Sequence, residues 1–582
     1  MNLNFLATNF IFCFYKYMGI IENYKEYRKN KPQYKDWADK RAQEEAKRIN
    51  YLKKNNITPD KFESDIKRAK TVLNAVDVMD EYSQSRAEEM EMTVQTAQSG
   101  VMQLSNYASL GLAALSLLSK NIREAADNLF ANKKFSPLLL IPALLYIVPV
   151  IGTAIFFSIF SAKQETKASR LGRAEAINKK LTSPKQFAIL TDEQNKQVEE
   201  IAKGINITKK DVKKENKTTN GAGILNSIKT LFTHNKENEA KIKELNEQFN
   251  NDVNNVNSNK ELTKEQIEEA KKDKQLVQNV IEKIDIASQE YAEDVELATS
   301  TVSVLALGTG GGIGALTKFI LNKMKIPANK SNMISIITGA VIGFAGAIWA
   351  ASVQKQASRV ARYKVKQDFL SNPEKLVYVN DELIKNDADI EIQKNKKPNF
   401  FKFLIQVFKD NSEYKKYKKE HDIEQLKLSK AREQIEITPE QEKRAKQLQN
   451  NVFKMFNKVD EKSQTYSEST EAIGEIVQSV GSLLAMIPGL FGYTKNLMNK
   501  NFKGSIISMA VAMLPPIILN IIVTKEQKSA SKVADMLAIN EMDNYKYFAD
   551  YSDSVTLSNS KVSNKKPTFE QFKNKTNSKQ ML

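Results

Sequence analysis

Six stretches of the chain contain no Asp, Glu, Lys or Arg: Thr93–Ser119, Phe135–Ala162, Ala298–Thr317, Ser331–Gln354, Ile476–Thr494 and Gly504–Thr524. Each is roughly 19 residues or longer, enough for a helix rising about 1.5 Å per residue to cross a hydrocarbon layer about 30 Å thick. Phe135–Ala162 and Gly504–Thr524 are strongly apolar throughout. Thr93–Ser119 carries Gln95, Gln98, Gln103 and Asn106, so only its later half suits lipid. The sequence therefore leads to an expectation of six membrane helices in three hairpins, set against a large helical protein with all-round hydrophobic core helices.

The long segments between these tracts are highly charged. Across 582 residues, Lys and Arg number 87 against 69 Asp and Glu, a net charge of +18. That excess favours a polyanionic partner. The most basic runs, such as Lys209–Lys217 and Lys394–Lys402, hold few aromatics for base stacking, so anionic lipid is favoured over nucleic acid. A chain of this length also needs more than one unit.

Those units are internal repeats. After each hairpin the chain reads Ala168-Ser169-Arg170, Ala357-Ser358-Arg359 and Ala530-Ser531-Lys532. Before each it reads Ile57-Thr58-Pro59-Asp60, Leu262-Thr263-Lys264-Glu265 and Ile437-Thr438-Pro439-Glu440, where a cap followed by acid opens a charged helix. Those helices are aligned on Val76-Asp77, Ile284-Asp285 and Val459-Asp460, and on Tyr82, Tyr291 and Tyr466. The spacing from Tyr to Ser is 67 residues in the second copy and 65 in the third, against 87 in the first, which implies roughly twenty extra residues there. Short apolar patches at Met18–Ile21, Ala222–Leu225 and Asn399–Lys402 precede the copies. Pro184 and Pro373 mark matching breaks after them, with Lys546 at that position in the third.

The expected fold is thus an all-α membrane protein of three repeats, each a charged amphipathic helix, a two-helix hairpin and a basic post-hairpin helix. Repeat 1 covers residues 18–205 (hairpin about 101–162). A polar linker follows at 206–221, then repeat 2 at 222–397 (hairpin about 298–354) and repeat 3 at 398–556 (hairpin about 473–524), with a polar tail at 557–582. Residues 1–17 have no counterpart in the other copies and read as a mis-assigned start or a short signal anchor. Apolar positions Ile242, Leu245, Phe249, Val253 and Val256, and Leu276, Val280 and Ile284, recur at three-four spacing and predict packed helical stalks of coiled-coil type.

Gly310-Gly311-Gly312-Ile313-Gly314-Ala315 has the spacing of a dinucleotide-binding loop, but that loop must follow a strand. These glycines fall inside an expected membrane helix. There Gly308, Gly310, Gly312 and Gly314, with Gly339 and Gly343 in the partner helix, would permit close helix packing or line a pathway. Pro142, Pro149, Pro515 and Pro516 would kink second membrane helices or free carbonyls beside a path. Lys167, Arg170, Arg173, Lys355, Arg359, Arg362, Lys528 and Lys532, directly after the hairpins, are the expected contacts with lipid headgroups.

Chemistry is sparse. His234 and His421 are isolated, the single Cys13 pairs with nothing in the chain, and neither a nucleophile elbow nor a Walker loop occurs, so no catalytic, cofactor or metal site is expected. The reading is a non-enzymatic membrane-anchored scaffold whose basic helices contact anionic lipid or a protein partner. A transporter or channel of three pseudo-symmetric hairpins is the second reading, and a pore-forming protein the third. Richness in Lys and Asn suggests an AT-rich bacterial genome, hence an inner (plasma) membrane with the charged segments cytoplasmic. Basic residues in the hairpin loops, such as Lys120, Lys323 and Lys495, weaken that orientation.

Overall fold

The computed structural model describes residues 3–55, 62–116, 119–132, 138, 140–208, 210–211, 236–256, 260–324, 334, 353, 356–379, 399–498, 502–551 and 555–556. Helices dominate: α1 (Leu3–Lys54), α2 (Glu63–Ser116), α3 (Lys120–Asn132), α4 (Leu140–Lys179), α5 (Asp192–Gly204), α6 (Lys236–Val256) and α7 (Lys264–Lys323). They continue with α8 (residues 356–371), α9 (Phe400–Gln434), α10 (Pro439–Met498) and α11 (Phe502–Glu541). Among the described residues, strand pairing is confined to Lys260–Glu261 against Val555–Thr556, so the protein is all-α. Among the described residues, no helix is long and apolar enough to cross a membrane. Residues Leu3–Tyr17 run into α1 without a break.

The helices fall into three copies of one plan. Each has an outer helix (α1, α6, α9), a long inner helix (α2, α7, α10), a return helix (α4, α8, α11) and a closing 3-10 turn at Pro184–Phe187, Pro373–Leu376 or Tyr545–Phe548. Local chemistry sets the ends. Thr263 and Gln266 form a reciprocal capping box at the start of α7, and Thr438 and Gln441 repeat it at α10. The same Thr-x-x-Gln pattern, Thr191 with Gln194, opens α5. Ser183 and Asn544 cap two of the closing turns, and each turn buries one apolar plug: Phe187, Leu376 or Phe548.

Two levels of contact orient the inner helices. Arg68 on α2 bonds Asp273 on α7 at 3.0 Å, and twelve residues further along each helix Asp80 and Asp285 act on one another electrostatically. Both helices therefore run parallel and in step. Asn451 of α10 bonds the same Asp273 at 2.8 Å, which places the third inner helix alongside. Between the levels Val72, Val76 and Met79, then Val280 and Ile284, then Val452, Met455 and Val459 are almost fully buried. Each such side chain contributes roughly 1.5–3 kcal/mol on burial. Leu276, Val280 and Ile284, the stripe expected from spacing, belong to this core.

The copies interlock in a ring. The first closing turn docks on α10, with Phe187 edge-on to Phe453 at 5.5 Å and Gln441 donating to the Ile189 carbonyl at 3.1 Å. The third docks on α7, where Gln266 donates to the Asp550 carbonyl at 2.9 Å. The second docks on α1 and α2: Leu52 and Ile66 pack on Val377 and Val379, and Arg48 donates to the Val377 and Lys375 carbonyls, both at 2.6 Å. First on third, third on second and second on first close the circle.

The structure corrects the register of the first copy. Ser83, Ser288 and Ser463 are the equivalent residues, each meeting the Ser of its own return helix: Ser169, Ser358 and Ser531. Three residues earlier stand Asp80, Asp285 and Asp460, so Asp80 rather than Asp77 is the counterpart. A slip of three residues is nearly one helical turn, which preserves the apolar periodicity and hides the error. The Ser–Ser separation is 86 residues in the first copy against 70 and 68 in the others, so the excess is smaller than the sequence suggested, and the 13-residue α3 occupies that insertion.

Close approach within a hairpin depends on small residues three positions after each return-helix Ser: Gly172, Ala361 and Ala534, all buried. A Cβ at Gly172 would collide with the Tyr82 carbonyl oxygen and lie 2.8 Å from Arg86 Cγ. Gly172→Val is expected to lower stability by about 1–3 kcal/mol, and Gly172→Ala by less, read as shifts in the chemical-unfolding midpoint.

Candidate functional site

At the level of the three serines the inner helices share Asp-x-x-Ser-Gln: Asp80-Ser83-Gln84, Asp285-Ser288-Gln289 and Asp460-Ser463-Gln464. On each return helix the residues one and four positions after the Ser share a face, as i and i+3 must. That face looks at the inner helix of the neighbouring copy. Arg173 pairs with Asp460, and Arg362 pairs with Asp80 while also approaching Glu81 at 3.7 Å. One position after the Ser, Arg359 meets Glu81 at 3.2 Å and Glu88 at 3.3 Å, Lys532 meets Glu293 at 3.3 Å, and Arg170 donates to Thr465 Oγ1 at 2.9 Å.

The third seam breaks the pattern. Where the other return helices carry Arg173 and Arg362, α11 carries Asp535, facing α7 and its Asp285. Asp535 is fully buried; one carboxylate oxygen accepts from Gln289 Nε2 at 2.7 Å and the other has no hydrogen-bond partner. Burial pushes its carboxyl up to about 7, against the opposing hydrogen bond of Gln289. Asp285 is likewise raised well above the usual range, by burial first and then by the charges of Asp535 and Asp80. Burial also raises Asp80, and it draws the Arg173 guanidinium down to about 9.

Several of the bases expected at lipid headgroups are engaged within the protein in this layer. Arg173 and Arg362 are buried at 1% and 3% exposure, and Arg359 and Lys532 have side chains only 14% and 13% exposed, all paired with carboxylates of the next copy. Arg170 turns to α10. Lys167 and Lys528 are half-buried, and Lys355 lies outside the described residues. Gly308, Gly310, Gly312 and Gly314 lie within the continuous helix α7, which excludes a strand-loop-helix phosphate cradle. Pro142 and Pro149 lie within α4, and Pro515 and Pro516 within α11. Gly339, Gly343 and His234 lie outside the described residues.

A second feature is a cleft of about 790 Å³ between α9 and the pair α2 and α8, with α5 along one side. Its cations are largely committed within the protein. Lys366 meets Asp77 at 3.1 Å, Lys418 meets Glu81 at 2.6 Å, Lys67 meets Asp192 at 2.6 Å, and Arg432 donates to the Gln186 and Ala188 carbonyls. His421 stacks on Tyr417 at 4.5 Å with its Nε2 3.0 Å from Lys366 Nζ; burial, then Lys366, hold it down to about 4, so the ring is neutral. The cleft is an internally compensated groove. Among the described residues, no group of three or more His, Cys, Asp or Glu is placed to hold a metal ion.

Asp285 with Ser288-Gln289 and Asp460 with Ser463-Gln464 are legible as repeat markers in the sequence, but the first-copy member Asp80-Ser83-Gln84 and the role of the motif are not. Its partners, on return helices about 240–300 residues away, supplied the missing signal. No family model matches the chain, and neither a curated protein nor a solved structure is similar to it.

Arg173→Met would strand Asp460 beside the core and is expected to cost about 3–5 kcal/mol. Combining it with Asp460→Leu should recover most of that loss. The readout is the denaturation midpoint, and a double variant no more stable than the single would disprove the pairing.

Proposed function

We propose that the chain is a non-enzymatic scaffold that holds three apolar helical hairpins side by side in a membrane, with the charged helices forming a base outside it. The observation that carries this reading is the ring of seams around parallel inner helices. Because α2, α7 and α10 point the same way, the charge-free stretches that begin at Thr93, Ala298 and Ile476 leave the base from one end.

The outer helix α9 supports the same reading. Its start packs beside the hairpin root of the second copy, where Phe403 and Val407 meet Tyr291, Val295 and Val353. On its other side Ile405 and Phe408 are 68% and 55% exposed, with Lys402 and Lys409 exposed beside them. Apolar residues flanked by lysines at that level suit an anionic headgroup boundary. Arg173, Arg359, Arg362 and Lys532 pair between the copies, which leaves the exposed start of α9 as the favoured contact with lipid.

Extraction of native membranes with alkaline carbonate tests the proposal. The full chain should stay in the pellet and enter solution only with detergent. Recovery in the soluble fraction without detergent would overturn the reading.

A further inference from the structure

The three seams are equivalent by position, yet two are closed by an Arg–Asp pair and one by two carboxyls. In the seam between the second and third copies, Asp535 occupies the place of Arg173 and Arg362, and Asp285 that of Asp460 and Asp80. Among the described residues, no base is ion-paired to either carboxyl. Lys532, one turn back on α11, is drawn to Glu290 and Glu293, and Arg41 of α1, which reaches this region, is held by Glu282 at 2.7 Å. We propose that Asp285 and Asp535 form a one-proton latch: the seam closes with one proton held by the pair and loosens when both carboxyls are ionised.

The surrounding groups set the sign. Asp535 faces Gln289 and Glu282 of α7, Ser463 of α10, Tyr34 of α1 and, on its own helix, Lys532, whose charge opposes the upward shift; Asp285 faces Asp80 of α2, Arg362 of α8 and Arg173 of α4. Both arginines are already engaged by Asp460 and Asp80. With every carboxyl ionised, four carboxylates would face two guanidiniums in one buried layer, and a proton removes one of the uncompensated charges. A carboxyl raised in the folded state favours folding below its ordinary range near 3.8, and that contribution is lost as pH rises through about 7. The latch is therefore shut in mild acid and released around neutrality. In the other two seams a guanidinium stands opposite each carboxylate, so ionisation there leaves a paired charge rather than a second uncompensated one.

Hydrogen–deuterium exchange of the purified full chain at about pH 5.5 and about pH 8, corrected for the chemical exchange rate, tests the latch. Residues 533–539 should open roughly tenfold more readily at the higher pH, the equivalent of one pKa unit, while residues 171–177 and 360–366 hold steady. Asp535→Asn should abolish the difference by holding the pair at no more than one negative charge at every pH, and Asp285→Asn should do the same where the first variant fails to fold. Equal pH responses in all three segments, or an unchanged response in the variants, would overturn the proposal.

Discussion

Ring closure between distant copies is the constraint on which the structure rests. Each return helix is covalently next to its own inner helix but spends its charged face on another copy, and each closing turn seals that same foreign copy. A copy cut from the chain would expose a row of buried arginines or carboxyls together with the apolar plug of its turn. Such groups are costly to leave unpaired. The base therefore assembles as a whole, and its contacts, some 240–300 residues apart in sequence, make folding a late event that waits for the third copy.

Buried ion pairs are weak contributors to net stability, because desolvation cancels much of their attraction. Their better-attested use is register. Three parallel inner helices with apolar residues at helical spacing could slide by a turn while keeping the same hydrophobic contacts; Met79, Ile284 and Val459 would accept such a shift. The Asp–Arg pairs and the Arg68–Asp273–Asn451 contact would not. The polar layers thus fix which turns face each other, and thereby hold the three hairpin roots at one height.

This division of labour explains what could be read in the sequence. The repeat, the caps at Thr263 and Thr438 and the second inner-helix stripe were legible because each is local: Thr263 and Gln266 lie three residues apart, and Leu276, Val280 and Ile284 share a face by periodicity alone, whereas the first cap, at Thr58, lies outside the described residues. The polar layer was not, because Arg362 follows a hairpin and looks like an interfacial base until Asp80, far upstream, is seen beside it. Apolar periodicity also concealed the three-residue slip in the first copy. A polar marker, Ser83 rather than Tyr82, was needed to expose it.

Departures from threefold symmetry concentrate the chemistry. Helix α5, which follows the first closing turn, lies against α9 and helps to frame the cleft, while its cap residue Gln194 bonds Gln441 at the start of α10. That arrangement leaves His421 and Asp77 partly accessible where the seam occupied by α1 is filled by Tyr27, Tyr34 and Trp37. The filled seam is also the one that holds the carboxyl pair. Aromatic packing excludes the water that would otherwise stabilise two carboxylates, so burial under α1 raises the proton affinity of Asp535 in a seam that also lacks an arginine at that position. A solvated counterpart at the same position would titrate as an ordinary carboxyl and would leave that seam indifferent to pH.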